Sequence, residues 1–120
     1  MKILWVSRHK MTSEQTASLN RLYGNCEIIS VDRTFKSAEE IADYCDWCDI
    51  YAVVLPTDIL ISLFNIIPED KIVLIPCSER KPNGTMTLNP ATNEYEPEYQ
   101  FVYKCWKKVL KAQFETEDLF

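Results

Sequence analysis

Four consecutive residues near the start of the chain, Ser7, Arg8, His9 and Lys10, carry most of the chemistry in the sequence. Arg8 and Lys10 bring positive charge. Thr12 follows them as the start of a helix, whose first N–H groups and dipole favour an anion. Together these make a local anion site. His9 is the only histidine and is a candidate to give or take a proton near neutral pH. Ser78, Arg80 and Lys81 form a second cationic group further along. Two such groups on one edge of a sheet suit a ligand with several phosphates. A plainer reading stays open beside this one: a lone histidine in a loop is usually solvated, Arg8 and Lys10 can flank a turn, and Arg80 and Lys81 can be surface charge.

Several chemistries are excluded. No glycine lies between positions 1 and 23, so the dinucleotide fingerprint G-x-G-x-x-G is missing. The phosphate-binding loop G-x-x-x-x-G-K-[ST] is also missing, and a single histidine does not furnish a zinc hydrolase site. Cys45 and Cys48 form one C-x-x-C pair, half of what a closed zinc site needs. The pair falls at the end of a helix, whereas thioredoxin-like chemistry wants it at a helix start. We read these as structural thiols with Trp47 packed nearby. Glu39, Glu40, Asp43, Asp46 and Asp49 read as a solvated face. No cofactor and no metal are expected.

The elements that must position the first loop follow from the pattern. Residues 2–6 are a short apolar run, as in a strand buried on both faces. Thr12 and Gln15 have capping-box spacing, and Gly24 stands where a helix ends. Residues 26–31 read as a second strand, and a helix capped by Ser37 runs to about position 44 or 45. Residues 50–55 are the clearest strand. Pro56-Thr57-Asp58 breaks it, a short apolar helix covers 59–66, and a fourth strand at 71–75 stops at Pro76. This alternation predicts a single Rossmann-like three-layer α/β domain over residues 1–120, with a mostly parallel sheet. Residues 78–98 read as a polar, proline-containing stretch with a turn at Asn83-Gly84 and 85–88 as one arm of a hairpin. An antiparallel pair, residues 99–105 with 110–116, is expected to extend the sheet. Ligands of such sheets bind beyond the carboxyl ends of the strands, here residues 7–11, 32–34, 56–58 and 76–81.

Composition sets the outer bounds. The chain has 120 residues, 47% hydrophobic and 26% charged, with net charge −5. That acidity speaks against broad attraction to duplex nucleic acid or an anionic membrane. No apolar run approaches the roughly 20 residues that span a bilayer. Residues 1–6 are too short for a signal-peptide core. Five cysteines at irregular spacing do not make a secreted disulfide framework, so we expect a cytoplasmic protein with reduced thiols.

Residues 3–15, ILWVSRHKMTSEQ, resemble the opening of small single-domain ring-nuclease-like proteins of CRISPR systems, relatives of the CRISPR-associated Rossmann-fold domains. There the first strand ends in a similar Ser-Arg-His or Ser-His step. The resemblance covers about the first 15 residues. It implies a homodimer that binds a cyclic oligoadenylate second messenger, and in some members cuts it without a metal. The ribose 2′-oxygen then attacks the adjacent phosphorus and leaves a cyclic phosphate. By this resemblance Ser7 and Arg8 would hold the phosphate, His9 would transfer a proton or touch the phosphate, Lys10 would add charge, and the helix end at Thr12 would supply amide donors. The chain departs from many of these proteins in having no glycine just after the His step.

Two other functions fit the same sequence. One is a non-enzymatic interaction or regulatory module on a flavodoxin-like frame, suggested by the acidic composition and the four aromatics among residues 95–103. The other is a different nucleotide or phosphosugar enzyme with Asp58 as general base.

Overall fold

The computed structural model describes residues 1–111, 117 and 119. Its elements run β1 (Lys2–Val6), α1 (Ser13–Tyr23), β2 (Glu27–Val31), α2 (Ala38–Ala42), β3 (Ile50–Val53), α3 (Thr57–Ile66), β4 (Ile72–Asn89) and β5 (Glu94–Lys108). The strands form one sheet in the order β2-β1-β3-β4-β5. β1 is parallel to β2 and to β3, and β3 is parallel to β4. Only β5 is antiparallel, to β4. The fold is thus mixed α/β, with a mostly parallel sheet and an antiparallel addition at its end.

Local chemistry explains the elements. β1 and β3 are central, and their apolar runs are buried on both faces. α1 opens with a full capping box: the Thr12 hydroxyl accepts from the Gln15 N–H at 3.2 Å, and the Gln15 side chain accepts from the Thr12 N–H at 2.9 Å. Gly24, at φ 79°, ends α1, and its N–H donates to the Asn20 carbonyl. α2 is shorter than its sequence pattern suggested. The Ser37 side chain makes no cap bond, and the chain turns after Ala42.

Side chains alternate along each strand, so each central strand feeds two cores. Ile3, Trp5, Ile50, Ala52 and Leu74 pack with Leu19 of α1. Leu4, Val6, Tyr51, Val53 and Val73 pack with Ile41 of α2 and Leu63 of α3. No described helix is long and apolar enough to cross a membrane.

The carboxyl-terminal third departs from the expectation. Pro76 does not stop β4, which continues to Asn89. β3 pairs with β4 only as far as Leu74, so beyond that point β4 has a free edge among the described residues, where a proline removes no needed ladder bond. Pro82 and Pro97 sit in the same two-stranded ribbon. Asn83-Gly84 makes no hairpin turn. Gly84, at φ 87°, lies within the irregularity between Pro82 and Met86, where the Asn83 side chain accepts from the Thr85 N–H at 2.9 Å. The true turn joins Asn89 to Glu94, with Asn93 at φ 57° and its N–H donating to the Asn89 carbonyl at 2.7 Å. Residues 85–88 do form one side of a hairpin. Residues 99–105 pair with β4; the partner expected for them was 110–116. Of that last segment, positions 112–116 lie outside the described residues.

β4 and β5 therefore leave the sheet as a ribbon. From Cys105 back to Glu94 it runs about 35 Å at the usual strand rise. The radius of gyration is 18.1 Å, against roughly 13.6 Å for a compact chain of this length. An arm of that length adds to the radius.

Candidate functional site

The parallel sheet changes direction at one point. From β1 the chain passes through α1 to β2 on one side, and from β3 it passes through α3 to β4 on the other. β1 and β3 are neighbours, and a crevice opens beyond their carboxyl ends. A cleft of about 360 Å³ occupies that place. Val6, Phe35, Val54, Leu55, Pro56 and Ile59 make it largely apolar. Ser7, Arg8, His9, Arg33 and Thr34 give it a polar rim, and no carboxylate among the described residues lines it.

The first loop is held firmly beneath this rim. The Trp5 indole N–H donates to the His9 carbonyl at 2.8 Å. The Ser7 hydroxyl accepts from the His9 N–H at 3.0 Å. Ser7 is itself buried. His9 is thus fixed through its backbone on both sides, while its residue as a whole is exposed. The Arg8 guanidinium donates to the Thr34 hydroxyl at 3.1 Å, which ties the end of β1 to the end of β2. Arg33 stacks over the Phe35 ring at 4.5 Å. Val6 and Val31 are register partners, and each arginine lies two residues beyond one of them. Two guanidinium groups from adjacent strands therefore flank one apolar cleft.

The residues singled out from the sequence divide accordingly. Ser7, Arg8 and His9 come together in the cleft. Lys10 and Thr12 do not line it. Thr12 is engaged in the α1 cap, and Lys10 is exposed between the loop and that cap. Arg80 and Lys81 are also absent from its lining, because the fourth strand end on which they were placed does not exist. Both lie within β4, on the arm. There Arg80 stacks over Tyr99 at 3.8 Å, and Lys81 pairs with Glu79 at 3.0 Å. Asp58 is exposed in the first turn of α3 and is not part of the cleft wall.

Arg33 and Phe35 were missed as site residues. Part of their signal was present: position 33 falls at a strand's carboxyl end. What the sequence does not declare is which two strand ends become neighbours.

Cys48 is buried, and burial pushes its thiol above the ordinary range. Tyr51 beside it donates its hydroxyl to the Ala42 carbonyl at 3.2 Å, and burial pushes that hydroxyl up as well. Among the described residues no group of three His, Cys, Asp or Glu side chains converges as a metal site. All five cysteines are free.

No protein-family model matches the chain, and no curated protein or solved structure matches it at a significant level.

Proposed function

We propose that the cleft binds a phosphate-bearing nucleotide ligand, a cyclic oligoadenylate second messenger of the kind the first 15 residues suggest. The reading rests on one observation above all. Arg8 and Arg33 flank an apolar cleft that no carboxylate among the described residues lines, at the crevice between β1 and β3, in a protein that is acidic overall. The guanidinium groups match phosphate oxygens, and the apolar wall suits the faces of a base. The frame we take for this is Rossmann-like and three-layered, with α1 on one face and α2 and α3 on the other. The setting we take is the cytoplasm.

Binding and cleavage are separable parts of this proposal. Binding needs Arg8, Arg33 and the Ser7 turn. Cleavage needs, in addition, His9 to take the proton of the ribose 2′-hydroxyl as that oxygen attacks the adjacent phosphorus. The 5′-oxygen takes a proton from water as it leaves, His9 gives its proton back to solvent, and a 2′,3′-cyclic phosphate remains. Charge on the phosphate would be neutralised by the arginines alone, so no metal is required.

The test mixes the protein with cyclic tri-, tetra- and hexa-adenylate in the presence of a chelator. Binding is read by calorimetry and products by chromatography. Binding that Arg8→Ala weakens tenfold or more supports the site. Turnover abolished by His9→Ala supports cleavage, and binding without turnover leaves a sensor. No binding of any ring refutes the reading.

A second reading, a protein-interaction module, is favoured by a different observation, the exposed apolar side chains of the β4–β5 arm.

A further inference from the structure

Register fixes what each face of the arm carries. Residues directly opposite one another in an antiparallel pair point to the same face. Tyr95 pairs with Leu88, Pro97 with Met86, Tyr99 with Pro82 and Phe101 with Arg80. One face is therefore aromatic and aliphatic, and its one formal charge, Arg80, lies stacked on Tyr99 at 3.8 Å. The opposite face carries Glu94, Glu96 and Glu98, with Glu79 and Lys81 on β4.

The apolar face continues a buried one. Tyr103 meets Trp106 edge-on at 6.3 Å, and Trp106 meets Trp5 at 5.8 Å in the core beneath α1. The Trp106 indole N–H donates to the Gln15 carbonyl at 3.1 Å, so the cover that α1 provides begins at its first turn. Further out, nothing among the described residues covers the face. Tyr95 is 69% exposed, Tyr99 46% and Phe101 80%. A two-stranded ribbon with an open apolar face is marginal in water.

We propose that this face is covered by the same face of a second copy of the chain, in a two-fold dimer whose arms pack face to face. Three features select that occupant. The first is composition. Tyr, Phe, Met and Arg are the types enriched in interface cores, and the Glu and Lys depleted there sit on the other face. The second is charge. Like meets like without opposing carboxylates on the apolar side, whereas the Glu94, Glu96 and Glu98 face would repel its own copy. The third is area. Tyr95, Tyr99 and Phe101 together expose on the order of 400 Å². That is about half of the ~800 Å² each partner gives to a stable interface, and Met86, Leu88 and Pro82 add to it. Edge-to-edge pairing is disfavoured, because Pro82, Pro97 and the irregularity near Gly84 interrupt the ribbon's edges.

The dimer does not depend on the nucleotide reading, and its test uses no nucleotide. The mass of the purified full chain is measured by light scattering across a hundredfold range of micromolar concentrations. The expected result is twice the 14.0 kDa chain mass at the upper end. Tyr95→Glu with Phe101→Glu is expected to give the single-chain mass throughout, with an unchanged far-ultraviolet spectrum. Glu96→Lys, on the opposite face, is expected to leave the dimer intact. A wild-type protein that stays a monomer overturns the proposal. So does a dimer that survives the double substitution, or a wild-type chain whose arm co-purifies with nucleic acid instead of a second copy.

Discussion

Trp106 and Phe101 lie on the same strand and the same face of β5, and they have opposite fates. Trp106 packs edge-on against Trp5 and bonds to the first turn of α1, whereas Phe101 is 80% exposed. Nothing in the strand itself separates them. What separates them is the element above: α1 reaches Trp106 and stops short of Phe101. In the base of the molecule, Leu19 of α1 packs on one apolar set of the strands, and Ile41 of α2 and Leu63 of α3 pack on the other. The arm carries the same kind of pattern with no cover from the other described residues. Alternation along a strand thus decides which face is apolar, and the neighbouring elements decide whether that face is buried.

Core substitution tests this contrast most strongly. Trp5 is 2% exposed between β1 and α1. Trp5→Ala is expected to cost about 3–5 kcal/mol, the range for large aromatic truncation in a core. Phe101→Ala, measured at concentrations where the chain is monomeric, is expected to change stability by no more than about 0.5 kcal/mol. Urea denaturation followed by tryptophan fluorescence gives the second value and circular dichroism gives both. Similar losses at the two positions would mean that the arm is as enclosed as the base.

Ligand binding draws the same line between arginines. Arg8 lines the cleft, and Arg80 is committed to Tyr99 on the arm. Arg8→Ala is expected to remove about 1.5–3 kcal/mol of cyclic oligoadenylate binding, the worth of a hydrogen bond to a charged group. Arg80→Ala is expected to leave that affinity within twofold. Titration calorimetry on both variants reads the difference. Equal losses would bring the arm into the binding site.

These two arginines also show how far the sequence could be read. Ser7, Arg8 and His9 were legible because a buried apolar run ending in polar residues marks a strand's carboxyl end, and ligands of parallel sheets bind there. The parallel strands were legible for the same reason, since β1 and β3 are continuous apolar runs. Arg33 was not, because its role depends on β2 lying beside β1, which is a property of topology. Arg80 and Lys81 were misplaced because Pro76 was taken as the end of a strand. Proline ends a strand with neighbours on both sides, but among the described residues β4 keeps only β5 beside it after Leu74, and it continues. The polar alternation in residues 94–98 was placed in the polar, proline-containing stretch of residues 78–98. It is the charged side of a ribbon whose other side is aromatic.

Acid is expected to loosen the arm before the base. The Glu98 carboxylate accepts from the Thr87 hydroxyl and the Asn83 amide, and these bonds hold its pKa below the usual carboxylate value. Its contribution to folding is therefore present above the unfolded pKa of about 4.3 and is lost as pH falls through the lower, folded value. Both bonds cross from β5 to β4 next to the irregularity at Gly84. Below about pH 4.3, the amides of residues 83–87 are expected to lose exchange protection before those of β1 and β3. In Glu98→Gln this acid-dependent loss should be absent. Simultaneous loss in arm and base would show that the two open as one unit.

The smallest effect is expected where base and arm meet. The Tyr103 hydroxyl is buried and has no hydrogen-bond partner among the described residues. Its ring is already placed by Trp106. A buried hydroxyl without a partner carries an uncompensated desolvation cost, so its removal relieves strain on the folded state instead of breaking a bond. Tyr103→Phe keeps the ring and is expected to be neutral or stabilising, by up to about 1 kcal/mol. Thermal unfolding of the dilute protein measures it. A loss of stability that appears only at concentrations where copies associate would place a partner for this hydroxyl across the dimer, and would move the boundary of the interface inward from Phe101 to the root of the arm. A loss at every concentration would show that the hydroxyl is bonded within its own chain, and that Tyr103 belongs to the base.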